Sequence, residues 1–156
     1  RTSRLIAWCR ENPIDRIKLF SDSLEDAKED GRDKAQAKGS KSEFYLKIAK
    51  AVFDSDDEEQ AVRDHFLKYP NDFVTPVASR FKTLKSKYNT FNSELKQTGA
   101  GLRAEDELRR DPKTNTLIDH LLQKFPWWPD LHGWWRQIPS FNANYSTADG
   151  GQDFSA

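Results

Sequence analysis

The chain has 156 residues and carries 25 basic and 25 acidic side chains, one cysteine and no methionine. A single cysteine excludes an internal disulfide framework and favours a reducing, intracellular compartment, and no run approaches the ~18 apolar residues of a membrane span. Because it begins at Arg1, lacks methionine and opens with no signal peptide, we expect it to be a segment of a longer intracellular protein.

Residues 1–20 are predicted to form a first helical segment that a proline divides. Thr2 or Ser3 can cap the helix start. Three apolar residues then recur at helical spacing: Leu5, Trp8 and Cys9. Pro13 disfavours helix in the preceding residue and suits the first turn of a new helix. That helix would bury a second stripe: Ile14, Ile17 and Phe20.

Residues 21–41 are predicted to be a charged connector, solvated and either partly helical or mobile. Leu24 is their one large apolar residue, so they cannot bury enough surface to offset the entropy of ordering. Ser40 and Glu43 then fit a capping box. This signal predicts a helix over residues 42–53.

An acidic turn, Asp54 to Glu59, places negative charge at the start of a predicted helix over residues 58–69. Three residues of this helix are expected to face inward: Val62, Phe66 and Tyr69. Pro70 ends it. The acidic turn lacks the glycine-containing twelve-residue pattern of a calcium loop, so we predict helix capping rather than a metal site.

The clearest helix start follows, with Thr75 as the cap and Pro76 in the first helical position. We call residues 76–96 the basic helix. Its apolar residues are spaced four, three, four, three and four apart, which is typical of one buried stripe. They are Val77, Phe81, Leu84, Tyr88, Phe91 and Leu95. Gly99 and Gly101 are predicted to end the helix.

The C-terminal part is predicted to hold one more helix, over residues 114–125 with Thr114 as the cap. A segment rich in tryptophan and proline, residues 125–139, would brace the helical core, and residues 139–156 are expected to form a disordered tail. No alternating pattern demands a strand. The predicted fold is therefore an all-α helical bundle, in which residues 42–138 complete the domain.

Charge is unevenly distributed, because residues 42–75 carry four basic and eight acidic side chains, whereas residues 76–103 carry six basic and one acidic. On a helical wheel the basic helix turns hydroxyls, an amide and cations outward, with no carboxylate before Glu94. Such a face suits a DNA major groove, where cations bind phosphates and short polar side chains reach base edges. An ordinary solvated helix face is the alternative, although such faces usually mix both charge signs.

The basic helix also carries a family resemblance. The pattern Ser79-Arg80-Phe81-Lys82-x-Leu84-Lys85-x-x-Tyr88, followed by Gln97-Thr98-Gly99-Ala100-Gly101, resembles the third helix and Gly-rich turn of Myb/SANT-like (trihelix-type) DNA-binding domains. The resemblance implies a bundle with a helix-turn-helix-like core and an extra helix. It implies phosphate contacts from four cations: Arg80, Lys82, Lys85 and Lys87. It places four polar residues near bases: Ser79, Thr83, Ser86 and Asn89.

We therefore predict the double-stranded-DNA-binding domain of a nuclear regulatory protein, with no cofactor, no metal, no small-molecule substrate and no enzymatic activity. SANT-type domains can instead read basic tails, so a protein-interaction module stays open as the alternative. Its contact surface would be the acidic turn and the four tryptophans of residues 125–139. The tryptophan rings could equally complete the core, which we favour. Other regulatory or chromatin proteins are possible further partners.

Overall fold

The computed structural model describes residues 1–21, 34–99 and 102–143, with the backbone alone for 34–40. These residues form an all-α structure, and they contain no strand. The helices are α1 (Thr2–Glu11), α2 (Pro13–Ser21), α3 (Lys34–Phe53), α4 (Gln60–Lys68), α5 (Val74–Lys96), α6 (Glu105–Leu108), α7 (Pro112–Leu122) and α8 (Trp128–Trp135). A 3₁₀ turn, Pro70–Phe73, connects α4 to α5.

The chain divides into two compact units, Arg1–Lys82 and Thr83–Ala156, with the boundary inside α5. The boundaries predicted near residues 20, 41 and 138 separate segments of different composition, whereas these units are defined by contacts. Those boundaries therefore stay predictions. In the first unit, α1 packs mainly on α3, and the core holds Cys9 at 0% exposure, as predicted for a buried hydrophobe. Phe20 meets Phe81 edge-on at 5.8 Å between ring centroids. The second unit is built on the rest of α5, together with α6, α7 and α8.

Proline divides α1 from α2 as predicted, but the buried stripe of α2 is not the predicted one. Ile14 and Ile17 are 71% and 61% exposed, whereas Leu19 and Phe20 are buried. The inward face of α2 therefore includes residues 19 and 20. Arg16 lies on the same face and donates a hydrogen bond to the Cys9 carbonyl (3.0 Å). At the start of α1, Thr2 is already helical and neither predicted cap donates or accepts a capping bond.

The predicted capping box at Ser40 is wrong, since α3 begins at Lys34 and runs through this position. The residues before Ser40 include good helix formers, and adding turns to an existing helix costs little. Residues 34–41 of the predicted connector are therefore helical, while residues 22–33 lie outside the described part of the chain.

Two further helix ends differ from prediction. Tyr69, predicted to face inward, is 53% exposed, because α4 ends at Lys68 and the 3₁₀ turn buries Phe73 instead. That turn leads directly into α5, which begins at Val74, so Thr75 is not its cap and Pro76 lies within its first turn.

In the second unit, α7 is capped by Asp111, whose side chain accepts from the Lys113 amide, with Pro112 in the first position. The predicted cap, Thr114, is buried and donates to the Asp111 carboxylate (3.2 Å). The short helix α6 was not predicted. Gly99 has a φ of +84° just beyond α5 and ends that helix as predicted, whereas Gly101 lies outside the described residues.

Candidate nucleic-acid interface

Helix α5 buries the predicted stripe completely. All six apolar residues of the stripe are at most 6% exposed: Val77, Phe81, Leu84, Tyr88, Phe91 and Leu95. The outward orientation of the remaining residues follows from this burial. Seven of the eight candidate DNA-binding residues are exposed: Ser79, Arg80, Lys82, Thr83, Lys85, Ser86 and Lys87. The eighth, Asn89, is half-buried.

Three cations on this outward face have no polar partner among the described residues. Within the part of the chain that the structure describes, Arg80, Lys82 and Lys87 make no side-chain hydrogen bond or ion pair. Lys85 places its Nζ 5.4 Å from the centre of the Phe141 ring, a cation–π contact. Glu94 is the one carboxylate of α5. The face therefore carries positive charge that nothing on the helix neutralises.

Asn89 has a structural role that the sequence analysis missed. Its Nδ2 donates to the Lys85 carbonyl (2.9 Å) and to the Phe141 carbonyl (2.8 Å), and its Oδ1 accepts from the Ala143 amide (2.8 Å). These bonds hold residues 138–143, which we call the strap, against α5. The start of the predicted disordered tail is thus ordered as far as Ala143, and residues 144–156 lie outside the described part.

The opposite face of α5 contains a buried polar chain. The Tyr88 hydroxyl lies 2.9 Å from His132 Nδ1, and His132 Nε2 lies 2.6 Å from the Arg103 carbonyl. A carbonyl can only accept, so Nε2 donates and Nδ1 accepts from the Tyr88 hydroxyl. Burial lowers the pKa of His132 to about 4 and raises the pKa of Tyr88 to about 12. Both groups are therefore neutral at pH 7.

An aromatic stack accompanies this chain. Trp128 stacks on Phe91 (4.6 Å between centroids, 9° between planes) and on His132 (4.4 Å, 18°). Its indole N–H donates to Asn92 Oδ1 at 2.9 Å. Helix α8 thus packs on the inner face of α5 and also forms hydrogen bonds with it. These contacts fix the rotation of the second half of α5 within its unit.

The tryptophans of residues 125–139 divide into two pairs. Trp128 and Trp135 are 0% exposed and complete the core of the second unit, as we favoured. Trp127 and Trp134 are half-buried. Residues Trp128–Trp135 of this segment form helix α8, which was not predicted. A contact surface made of all four rings is therefore not present on the outside of this unit.

The acidic turn is largely engaged within the first unit. The Glu58 side chain is 4% exposed and accepts from Arg1 (2.7 Å) and Arg4 (2.6 Å). Arg63 binds Asp54 (3.0 Å) and Asp56 (2.8 Å). The hydrogen bond from Arg1, together with the positive charges of Arg1 and Arg4, holds the pKa of the Glu58 carboxyl below its ordinary value. These carboxylates therefore stabilise the fold of the first unit and are less available to bind a partner.

The described residues carry neither a metal site nor a membrane-spanning helix. The described ranges contain no group of three or more histidine, cysteine or acidic side chains that could hold a metal ion. Nor do they include a helix with the length and apolar character to cross a membrane. Comparison with protein-family models, curated proteins and solved structures gave no match. The outward face of α5 is therefore the candidate functional site.

Proposed function

We propose that this chain is a DNA-binding domain of a nuclear regulatory protein, and that the outward face of α5 enters the major groove of double-stranded DNA. The observation that carries the proposal is a set of cations on this face that no described residue pairs: Arg80, Lys82 and Lys87. Four arginines elsewhere in the described residues are paired with carboxylates: Arg1, Arg4, Arg63 and Arg109. A helix face left cationic in such a chain is suited to an anionic partner.

The side chains between the cations favour DNA over a simple anionic surface. Ser79, Thr83 and Ser86 are exposed, short and able to donate or accept hydrogen bonds. Cations position a protein on the phosphates, while short polar groups can approach base edges in a groove that admits an α-helix. The resemblance to Myb/SANT-like domains points the same way and supplies the helix-turn-helix-like docking.

The test is fluorescence anisotropy with a labelled duplex of randomised sequence. With the four candidate cations each binding one phosphate, the affinity should fall roughly 10²-fold between about 50 and about 200 mM salt, since each contact releases condensed counterions. Selection of a preferred site from a random library would follow. An absence of binding at low salt contradicts the proposal.

A charge-reversal pair makes the test specific to α5. We expect Lys82→Glu with Lys87→Glu to weaken duplex binding by about tenfold or more, because two phosphate contacts become repulsive. The matched control is Lys113→Glu with Lys124→Glu, which changes net charge equally at exposed positions outside α5. Equal losses in both variants would assign the effect to net charge and contradict the assignment to this helix.

The alternative, a module that reads basic tails, has a distinct outcome in the same assay. The acidic turn keeps Asp57 and Glu59 exposed, but Asp54, Asp56 and Glu58 are bound by arginines. Binding to a labelled lysine-rich peptide, without binding to duplex, would favour that alternative. We place it second because most of the carboxylates it needs already have partners.

A further inference from the structure

The strap, residues 138–143, lies along one flank of the proposed DNA-binding helix. It is held at two places by α5 residues, since Asn89 binds the backbone of Phe141 and Ala143 and Lys85 lies over the Phe141 ring. The strap is also anchored to α8. Phe141 stacks on Trp135 (4.8 Å, 22°), and the buried Asn142 donates to the Arg136 carbonyl (2.9 Å). Its position on the flank of α5 is therefore well defined.

The composition of the strap suits a neighbour that is negatively charged. The segment reads Ile-Pro-Ser-Phe-Asn-Ala, and the sequence has no acidic residue between Leu131 and Ala148. Pro139, Ser140 and Ala143 are exposed. A phosphate chain could approach these small, neutral residues without repulsion. The exposed Ser140 hydroxyl is a group that commonly binds phosphate oxygens.

Helical spacing places the strap beside the outward face of α5. Asn89 follows Ser86 by three residues and Lys85 by four, and residues at these spacings are neighbours on a helix surface. Ser86 and Lys85 belong to the proposed DNA-binding set. Ala143, whose amide binds Asn89, therefore lies at the edge of that set, on the flank opposite to Lys87 on the helical wheel.

We propose that the strap is the second element of the DNA-binding surface, resting on the function proposed above. The outward face of α5 lies in the groove, and the strap lies against the sugar–phosphate backbone that borders the groove on the Asn89 side. Asn89 is then a positioning residue, which holds the strap in place and does not itself read a base. This assignment replaces the base contact that the family resemblance implies for Asn89.

The test changes the charge of the strap at Ala143, where the side chain is exposed and the bond from its amide to Asn89 is kept. Ala143→Lys should tighten binding of the randomised duplex several-fold and steepen its salt dependence by about one phosphate contact, while Ala143→Glu should weaken binding several-fold. Gln123→Lys and Gln123→Glu, at an exposed position after α7, are the matched controls. Equal affinities for the two Ala143 variants, or shifts no larger than those at Gln123, would overturn the inference.

A second variant tests the role of Asn89. Asn89→Ala removes the two bonds that hold the strap to the Asn89 side of α5, while Phe141 and Asn142 stay anchored to α8. The gain from Ala143→Lys should therefore shrink when the two substitutions are combined. A loss of fold alone would lower the affinity of both proteins and leave that gain unchanged. An increase in affinity for Asn89→Ala alone would show that the strap obstructs DNA, and would overturn the inference. If the wild-type protein binds duplex but the two Ala143 variants bind equally, the role of the strap is refuted and the proposed function stands. Wild-type protein that binds no duplex refutes the proposed function and the strap together.

Discussion

The polar side chains on the two faces of α5 differ in burial and in hydrogen bonding. On the inner face, the Tyr88 hydroxyl is hydrogen-bonded to His132, and the side-chain Oδ1 of Asn92 accepts from the Trp128 indole N–H. All four side chains are buried. On the outer face, Arg80, Lys82 and Lys87 are exposed and make no polar contact with the described protein.

This difference separates folding from binding along one helix. Buried polar groups cost free energy when a partner is lost, so substitutions on the inner face should change stability. Exposed cations contribute little to stability, so substitutions on the outer face should change the affinity for DNA and leave the fold intact.

The largest effect should come from acid acting on the inner face. The pKa of His132 is about 4 in the fold against an ordinary value of 6.5. Above pH 6.5 the imidazole is neutral in both states. As the pH falls towards 4, the unfolded chain takes up a proton that the folded chain excludes, so the free energy of unfolding should fall by about 3 kcal/mol.

Urea denaturation at a series of pH values measures this loss. His132→Gln, which keeps a donor and an acceptor but does not titrate in this range, is the comparison variant. Its stability should change much less between pH 6.5 and 4.5. Parallel curves for the two proteins would show that His132 is not the titrating group.

Tyr88→Phe should have the next largest effect. The substitution keeps the ring but removes the hydroxyl, which leaves the buried Nδ1 of His132 without its donor. We expect a loss of about 1–2 kcal/mol in the free energy of unfolding, seen as a lower urea midpoint at unchanged slope. Duplex affinity, measured under conditions where the variant is fully folded, should equal that of wild type. A weaker affinity would break the separation between the two faces.

Arg80→Ala tests the outer face in the reverse sense. The free energy of unfolding should stay within about 0.5 kcal/mol of wild type. Duplex affinity should fall several-fold, and the slope of log affinity against log salt should decrease in magnitude by about one. Arg110→Ala removes an exposed arginine of the same kind outside α5 and should leave both quantities unchanged. A stability loss for Arg80→Ala without loss of affinity would reverse our assignment.

The smallest effect is expected at Ser86. Alanine favours helix more than serine does, so Ser86→Ala should raise the free energy of unfolding by up to about 0.5 kcal/mol. If the hydroxyl meets a base edge, affinity for the selected site should fall while affinity for random duplex stays constant. Equal losses on both DNAs would instead assign Ser86 to a phosphate.

The sequence predicts α5 well because the burial of this helix is encoded in its own spacing. Six apolar residues at alternating steps of three and four define both its length and the direction of its outer face. The same signal was present in α8 and was missed. Trp128, Leu131, His132 and Trp135 stand at the first, fourth, fifth and eighth positions of that helix, and all four are buried. Prolines and the density of aromatic residues concealed this pattern.

Other features depend on partners far along the chain and have no local signal. Nothing near Asn89 indicates that its amide binds residues 52 and 54 positions later. Ile14 and Ile17 fit an apolar stripe yet are exposed, because Leu19 and Phe20 give α2 a different inward face. The capping predictions at Ser40 and Thr75 failed where neighbouring residues continued or began the helix earlier. The predicted DNA contacts stay predictions.

The distance along the chain between α5 and α8 has a consequence for folding. Asn92 and Trp128 are 36 residues apart, and Tyr88 and His132 are 44 apart, so the inner face of α5 is closed by contacts that form only after a long loop is brought together. During synthesis at about 5–20 residues per second, α8 is made roughly 2–9 s after the second half of α5. The apolar stripe of that half lacks its packing partner until then. Over that interval this stripe is the surface that a chaperone would have to protect.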